Sequence, residues 1–230
     1  MEYILGGIEE ALKLILSLDR DVFSSVLLSL RVSATAILFS SLVGVPLGFL
    51  IGGSEFWGKK VLITIFNTLL ALPTVVVGLL VYSFISRQGP LGPLGLLFTP
   101  NAMVIGQFIL ATPIIVALTI SATQGVDTRV RLTAMTLGAG PLQTALTVLS
   151  EARFALMAAV IAGFGRVIAE VGCALMIGGN IKGYTRIITT AIALETSKGE
   201  FGFGLALGFI LLIMAFSVNI LFHYAQSKRG

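Results

Sequence analysis

Long apolar stretches, nearly free of charge, constrain this chain more than any motif does. They lie at 22–52, 61–86, 102–121, 152–178 and 201–224. A helix that crosses a bilayer needs about 20 mainly apolar residues, and each stretch supplies them. Backbone polar groups in lipid must pair within their own segment, so these spans are predicted to be α-helical. Composition agrees. Charged residues make up 11% of the chain, against roughly 25% in a soluble domain. The reading is an all-α integral membrane protein with about five transmembrane helices. An N-terminal amphipathic surface helix at 1–21 precedes one membrane domain at 22–230.

Several functions are excluded early. The net charge of +4 is no nucleic-acid signal, because the basic residues are dispersed and not interleaved with aromatics. One cysteine, Cys173, cannot close an internal disulfide. His223, the single histidine, sits in a different apolar stretch with no carboxylate cluster nearby, so no metal site is expected. No Ser/His, Asp/Asp or His/Glu set falls at membrane depth, which argues against an intramembrane enzyme. The start of the sequence has no basic segment of the kind that begins a signal peptide.

Taken in order, residues 2–18 place Ile4, Leu5, Ile8, Leu12, Ile15 and Leu16 on one side and Glu9, Glu10 and Lys13 on the other. That pattern predicts an amphipathic helix on a membrane surface or against the bundle. The first span carries Gly44-Val-Pro-Leu-Gly48, an element tolerated where helices pack closely. Residues 53–60, GSEFWGKK, nearly fit a phosphate-binding loop. Lys60 replaces the needed hydroxyl and no strand precedes it, so a short interfacial loop anchored by Trp57 is expected. Pro73 lies within the second span, and Gln107 and Pro113 within the third. The fourth holds Arg166 and Glu170, four residues apart and so able to meet on one helix face. A lone charge at mid-membrane costs about 2.5–3.5 kcal/mol on insertion scales. Two readings of the pair stay open: a structural ion pair that fixes the helix, or a polar lining for an ion path. Asn180 follows in the turn 178–183.

Between the third and fourth spans, residues 125–151 are too polar and too broken to cross. Spacing predicts a helix starting near Thr128 and running to Gly138. Gly138-Ala-Gly140-Pro141 then ends it, and a second helix resumes near Leu142. A helix-turn-helix held at a membrane surface suits docking to another protein; an ordinary interhelical loop is the alternative. The Lys and Arg distribution favours, by seven residues to six, an orientation with the N-terminus outside, the basic tail inside and this stretch in the cytoplasm.

These residues resemble a known family. Arg131, Leu132, Thr133, Ala134, Met135, Thr136, Leu137, Gly138, Ala139 and Gly140 are similar to the cytoplasmic EAA loop of type I ABC-importer permeases, whose pattern is E-A-A-x-x-L-G-A. Arg166-Val-Ile-Ala-Glu170-Val-Gly172 with Gly179-Asn180-Ile181 resembles the molybdate and sulfate branch. Asn67 to Gly78, Glu151-Ala-Arg-Phe154 and Thr189 to Gly199 look most like the branch's tungstate permeases. Leu132 and Thr133 depart from the usual Glu and first Ala, and Ser150-Glu151 from the usual Leu-Pro.

The resemblance implies a permease subunit of an ATP-driven tungstate importer, with molybdate or sulfate as the alternative cargo. It implies a homodimer in a prokaryotic cell membrane, two cytoplasmic ATPase subunits docked on the coupling loop, and an extracytoplasmic oxyanion-binding protein. The chain itself would bind no cofactor and have no ATPase site; ATP and magnesium would sit in the ATPase subunits. Arg166, Glu170 and Asn180 would belong to the translocation path or to an intramembrane ion pair. A stand-alone channel or secondary transporter is the rival reading, and in it the stretch 125–151 would be expendable.

Overall fold

The computed structural model describes residues 2–17 and 19–227. The expected basic tail at Lys228 and Arg229 lies outside them, as do the side chains of Ile4 and His223. Among the described residues the fold is α-helical with no strand. In chain order the helices are α1 (Glu2–Leu16), α2 (Arg20–Gly53), α3 (Lys59–Leu69), α4 (Thr74–Ile85), α5 (Pro100–Gln124), α6 (Thr128–Thr136), α7 (Pro141–Glu151), α8 (Arg153–Ile168), α9 (Gly172–Gly178), α10 (Ile188–Ser197) and α11 (Phe201–Ser227). A short 3-10 turn, Gly92–Leu94, lies between α4 and α5.

The bundle is built on the pairing of α2 with α5, its most extensive helix contact. Gly44, Gly48 and Gly52 recur every four residues on α2 and face Ile115, Thr119 and Thr123 on α5. A β-carbon on Gly48 would lie 2.7 Å from both Thr119 Cβ and Val116 O; on Gly52 it would lie 2.9 Å from Thr123 Cβ. Small residues let two backbones approach this closely, which matters in lipid, where burial of apolar surface drives association little. Pro46 lies within the same continuous helix. Farther back, Thr112 Oγ1 meets Ser40 Oγ at 3.3 Å.

These contacts advance together along both chains, so α2 and α5 run parallel. Adjacent parallel spans need a connection that recrosses the membrane. That assigns α3 and α4 to one broken span, even though their axes differ by 98°. The span expected at 61–86 is thus bent at Pro73, which lies within it. Pro73 has no N–H to donate and its ring crowds the preceding turn; α3 ends at Leu69, and α4 starts from Pro73 in extended geometry.

The fourth expected span is also divided: α8 ends at Ile168 and α9 starts at Gly172. Among the described residues, α2, α5 and α11 are long and apolar enough to cross a membrane, and the bent pairs α3–α4 and α7–α8, the latter at 65°, bring the number to up to five. The main apolar core, including Ala36, Ile115, Phe164, Ile188 and Leu207, lies between α2, α5, α8, α10 and α11.

The first helix packs against α11, which is the bundle alternative of the two expected placements. Leu14 meets the core, whereas Leu5, Ile8, Leu12, Ile15 and Leu16 stay exposed.

The tight glycine contact generates a test. Gly48→Val should cost about 1–3 kcal/mol, as overpacking does, and lower the melting temperature of the detergent-purified protein. Gly165→Ala, where an added β-carbon meets nothing within 4 Å, should leave it near wild type. Equal melting temperatures for the two variants would contradict the α2–α5 contact.

Candidate functional site

Two regions carry the functional candidates. The first is the surface element α6–turn–α7. Asp127 caps α6, its carboxylate accepting from Arg129 N at 2.9 Å and pairing with Arg129 Nε at 3.1 Å. The helix stops at Thr136, two residues before the expected Gly138, and Leu137 forms its C-cap. Gly138 then takes a φ of +83°, the left-handed geometry that glycine adopts without strain. Ala139 N donates to Ala134 O at 3.0 Å, closing the corner. Pro141 opens α7, where a missing N–H costs nothing. Gln143 Oε1 accepts from Gly140 N at 3.0 Å. Sequence and structure agree on this local shape because every device in it is local.

Ala134 is the buried residue of α6. Thr133 and Thr136 are exposed, as are Leu132, Met135, Leu137, Leu142 and Leu146, with Leu137 at 82%. The element therefore offers an apolar strip, set among Arg129, Arg131 and Asp127, for another surface to cover. Arg131 turns away from the strip. Its Nη1 donates to Gly53 O at the end of α2, 2.9 Å away. Lys59 Nζ donates to the neighbouring Gly52 O at 3.2 Å and pairs with Glu55 at 2.7 Å. Two cations thus satisfy carbonyls that a helix end leaves unpaired, and they lie where the helix dipole favours positive charge. Trp57, at the loop before α3, is fully exposed.

The second region surrounds the break between α8 and α9. Arg166 and Glu170 do approach, with Nη1 to Oε2 at 3.5 Å, but their environments differ: the glutamate side chain is 2% exposed and the arginine 42%. The other carboxylate oxygen of Glu170 accepts from Cys173 N at 2.9 Å, capping α9. Thr189 Oγ1 donates to Glu170 O at 2.7 Å. Gly172 lies beside Thr74 and Val75, so the start of α9 packs against the start of α4 and the two broken spans meet.

Asn180 does not join this ion pair. It sits past the other end of α9, with φ of 51°. Its Oδ1 accepts from Arg186 Nε at 3.2 Å, and its Nδ2 donates to Thr190 O at 3.3 Å. Both ends of α9 are therefore tied to successive threonines of α10. That helix is fixed in turn to α2, because Ile188 N donates to Ser29 Oγ at 3.0 Å across 159 residues. Thr189, Thr190, Ser29 and Arg186 were not singled out from sequence as partners. The available signal was Ser25, Ser29 and Ser33 at four-residue spacing in an apolar run, all buried in the fold. At the same end, Lys182 pairs with Asp21 at 2.7 Å.

A bundle of long and broken membrane helices, carrying an exposed helix-turn-helix, is the architecture of a transporter's membrane subunit. The chain belongs to the family described as binding-protein-dependent transport system inner membrane component, which it matches over residues 44–229. It is 39% identical to the tungstate uptake system permease protein TupB of Peptoclostridium acidaminophilum, over 99% of this chain and 100% of that one. It is 44% identical to TupB of Campylobacter jejuni, over 97% and 93%. With the molybdenum transport system permease protein ModB of Escherichia coli it shares 30% identity, over 78% and 83%. Among solved structures, an amino acid ABC transporter superposes with a TM-score of 0.69 at 15% identity, covering 93% of this chain and 96% of that one. The fold is thus shared where the sequences have diverged.

The cap on α9 can be tested. Glu170→Leu removes the acceptor for a buried N–H and should cost about 1–3 kcal/mol. Glu170→Gln keeps an oxygen for Cys173 N and should cost less. Thermal unfolding of the purified variants checks the order; a larger loss for Gln than for Leu would refute the capping role.

Proposed function

We propose that this chain is the permease subunit of an ATP-driven tungstate importer. The observation that carries the reading is the exposed apolar element α6–turn–α7, in a chain whose full length aligns with tungstate uptake permeases. In the proposed assembly, two copies form the membrane body of a prokaryotic cell membrane. Two ATPase subunits, which hold ATP and magnesium, cover the α6–α7 surfaces in the cytoplasm. A binding protein delivers the oxyanion at the opposite end. The first long span enters from outside and α11 ends inside.

The mechanism follows from a bundle with two states. ATP binding closes the ATPase pair and moves the docked segments, residues 131–140, with it. The bundle then opens outward to the loaded binding protein, and hydrolysis returns it inward. Each partner shifts the equilibrium only through its different affinity for the two states. The path must not repel an anion. Arg166, half exposed beside the break, supplies a cation and hydrogen-bond donors. Glu170 is buried and held by Arg166 and the Cys173 N–H, and Asn180 holds the turn after α9; both act on the path through geometry. Selection between tungstate and molybdate would rest mainly with the binding protein.

Cells lacking this gene, grown on trace tungstate and molybdate, should lose tungsten accumulation and keep molybdenum; elemental analysis of the cells checks this. Equal loss of both metals would make the chain a general oxyanion permease. No change in either, with the ATPase partner intact, would refute the oxyanion reading.

A further inference from the structure

We propose that Arg131 is a positioning residue that makes the docking segment and the end of α2 move as one body. The inference rests on the importer reading above and adds a route by which force enters the bundle. Little holds α6 to the rest of the protein. Ala134 is its buried residue, and the hydrogen bonds of Thr136 and Asp127 stay within the element. The Arg131 guanidinium instead reaches a carbonyl 78 residues earlier in the chain. Its Nη2 lies against Gly53, 3.5 Å from where a β-carbon would stand.

The carbonyl it holds is well placed to pass motion on. With 34 residues at about 1.5 Å each, α2 is about 50 Å long, longer than the apolar core of about 30 Å. It can therefore carry a displacement from beyond the membrane surface into its interior. Its last turns are locked to α5 through Gly48 and Gly52, so α5 moves with it. Lys59, at the start of α3, grips the adjacent carbonyl of Gly52. The broken span α3–α4 is thereby joined to the same point, and α4 packs on α9 beside the Arg166–Glu170 pair. A push on α6 reaches α5 through the covalent linker 125–127. Through Arg131 it reaches α2 and α3 as well.

The test uses the complete complex: this chain, its ATPase subunit and its binding protein loaded with tungstate, reconstituted in liposomes. The readout is ATP hydrolysed per tungstate imported. In Arg131→Met this ratio should rise about tenfold, the change that loss of one charge-assisted hydrogen bond brings to a coupled step. Arg131→Lys keeps a donor and should restore most of the coupling. A defect in folding alone would lower import and hydrolysis together and leave the ratio unchanged, so an unchanged ratio in Arg131→Met overturns the latch. A raised ratio that Lys fails to lower overturns it too, because the hydrogen bond would then not be the cause. If the wild-type complex hydrolyses ATP and imports no tungstate, the importer reading falls and the latch with it.

Discussion

The close approach of α2 to α5 is the constraint on which the rest of the bundle depends. Lipid gives apolar helices little reason to prefer one another over acyl chains, so contact has to come from shape. Three glycines at four-residue spacing provide it, with Ile115, Thr119 and Thr123 filling the groove they leave. Because the two helices are parallel, the chain between them must travel back through the membrane. That obligation accounts for α3 and α4, whose right-angle bend would otherwise resemble a loop dipping into one side.

A second organising feature is the division of labour around the helix breaks. A break in a membrane helix frees backbone groups that lipid cannot satisfy. Here protein groups meet them. Glu170 takes the amide of Cys173, Thr189 and Thr190 tie both flanks of α9 to α10, and Ser29 anchors α10 to α2. The buried glutamate is therefore part of the scaffold, and Arg166 is the half-exposed member of the pair. A charge at membrane depth, read from sequence, could have been either.

That difference shows what the sequence made legible. The long apolar helices α2, α5 and α11 were readable because apolar length is a property of consecutive residues. So was the α6–turn–α7 corner, since Gly138, Gly140 and Pro141 act within one turn of where they stand. The family resemblance was readable from the same local motifs. The ties from Thr189 and Thr190 to the two flanks of α9 were not, because those threonines lie on α10, and the bond from Ile188 to Ser29 joins residues 159 apart with no shared period. A charged face and an apolar face identify an amphipathic helix, but which residue meets the bundle depends on α11. Pro73 was visible as an interruption; the size of the bend depended on how α4 packs against α9.

The apolar strip on α6 and α7 has a consequence for life in the cell. In the proposed orientation, a copy made without its ATPase partner shows Leu132, Met135, Leu137, Leu142 and Leu146 to water. Such a surface is sticky, and it marks the unpaired chain for chaperones and membrane proteases. In the proposed assembly, subunit supply and partner supply are then linked by the side chains that the ATPase subunit would cover. The cell can keep the two in proportion through turnover of orphans, without a separate regulator.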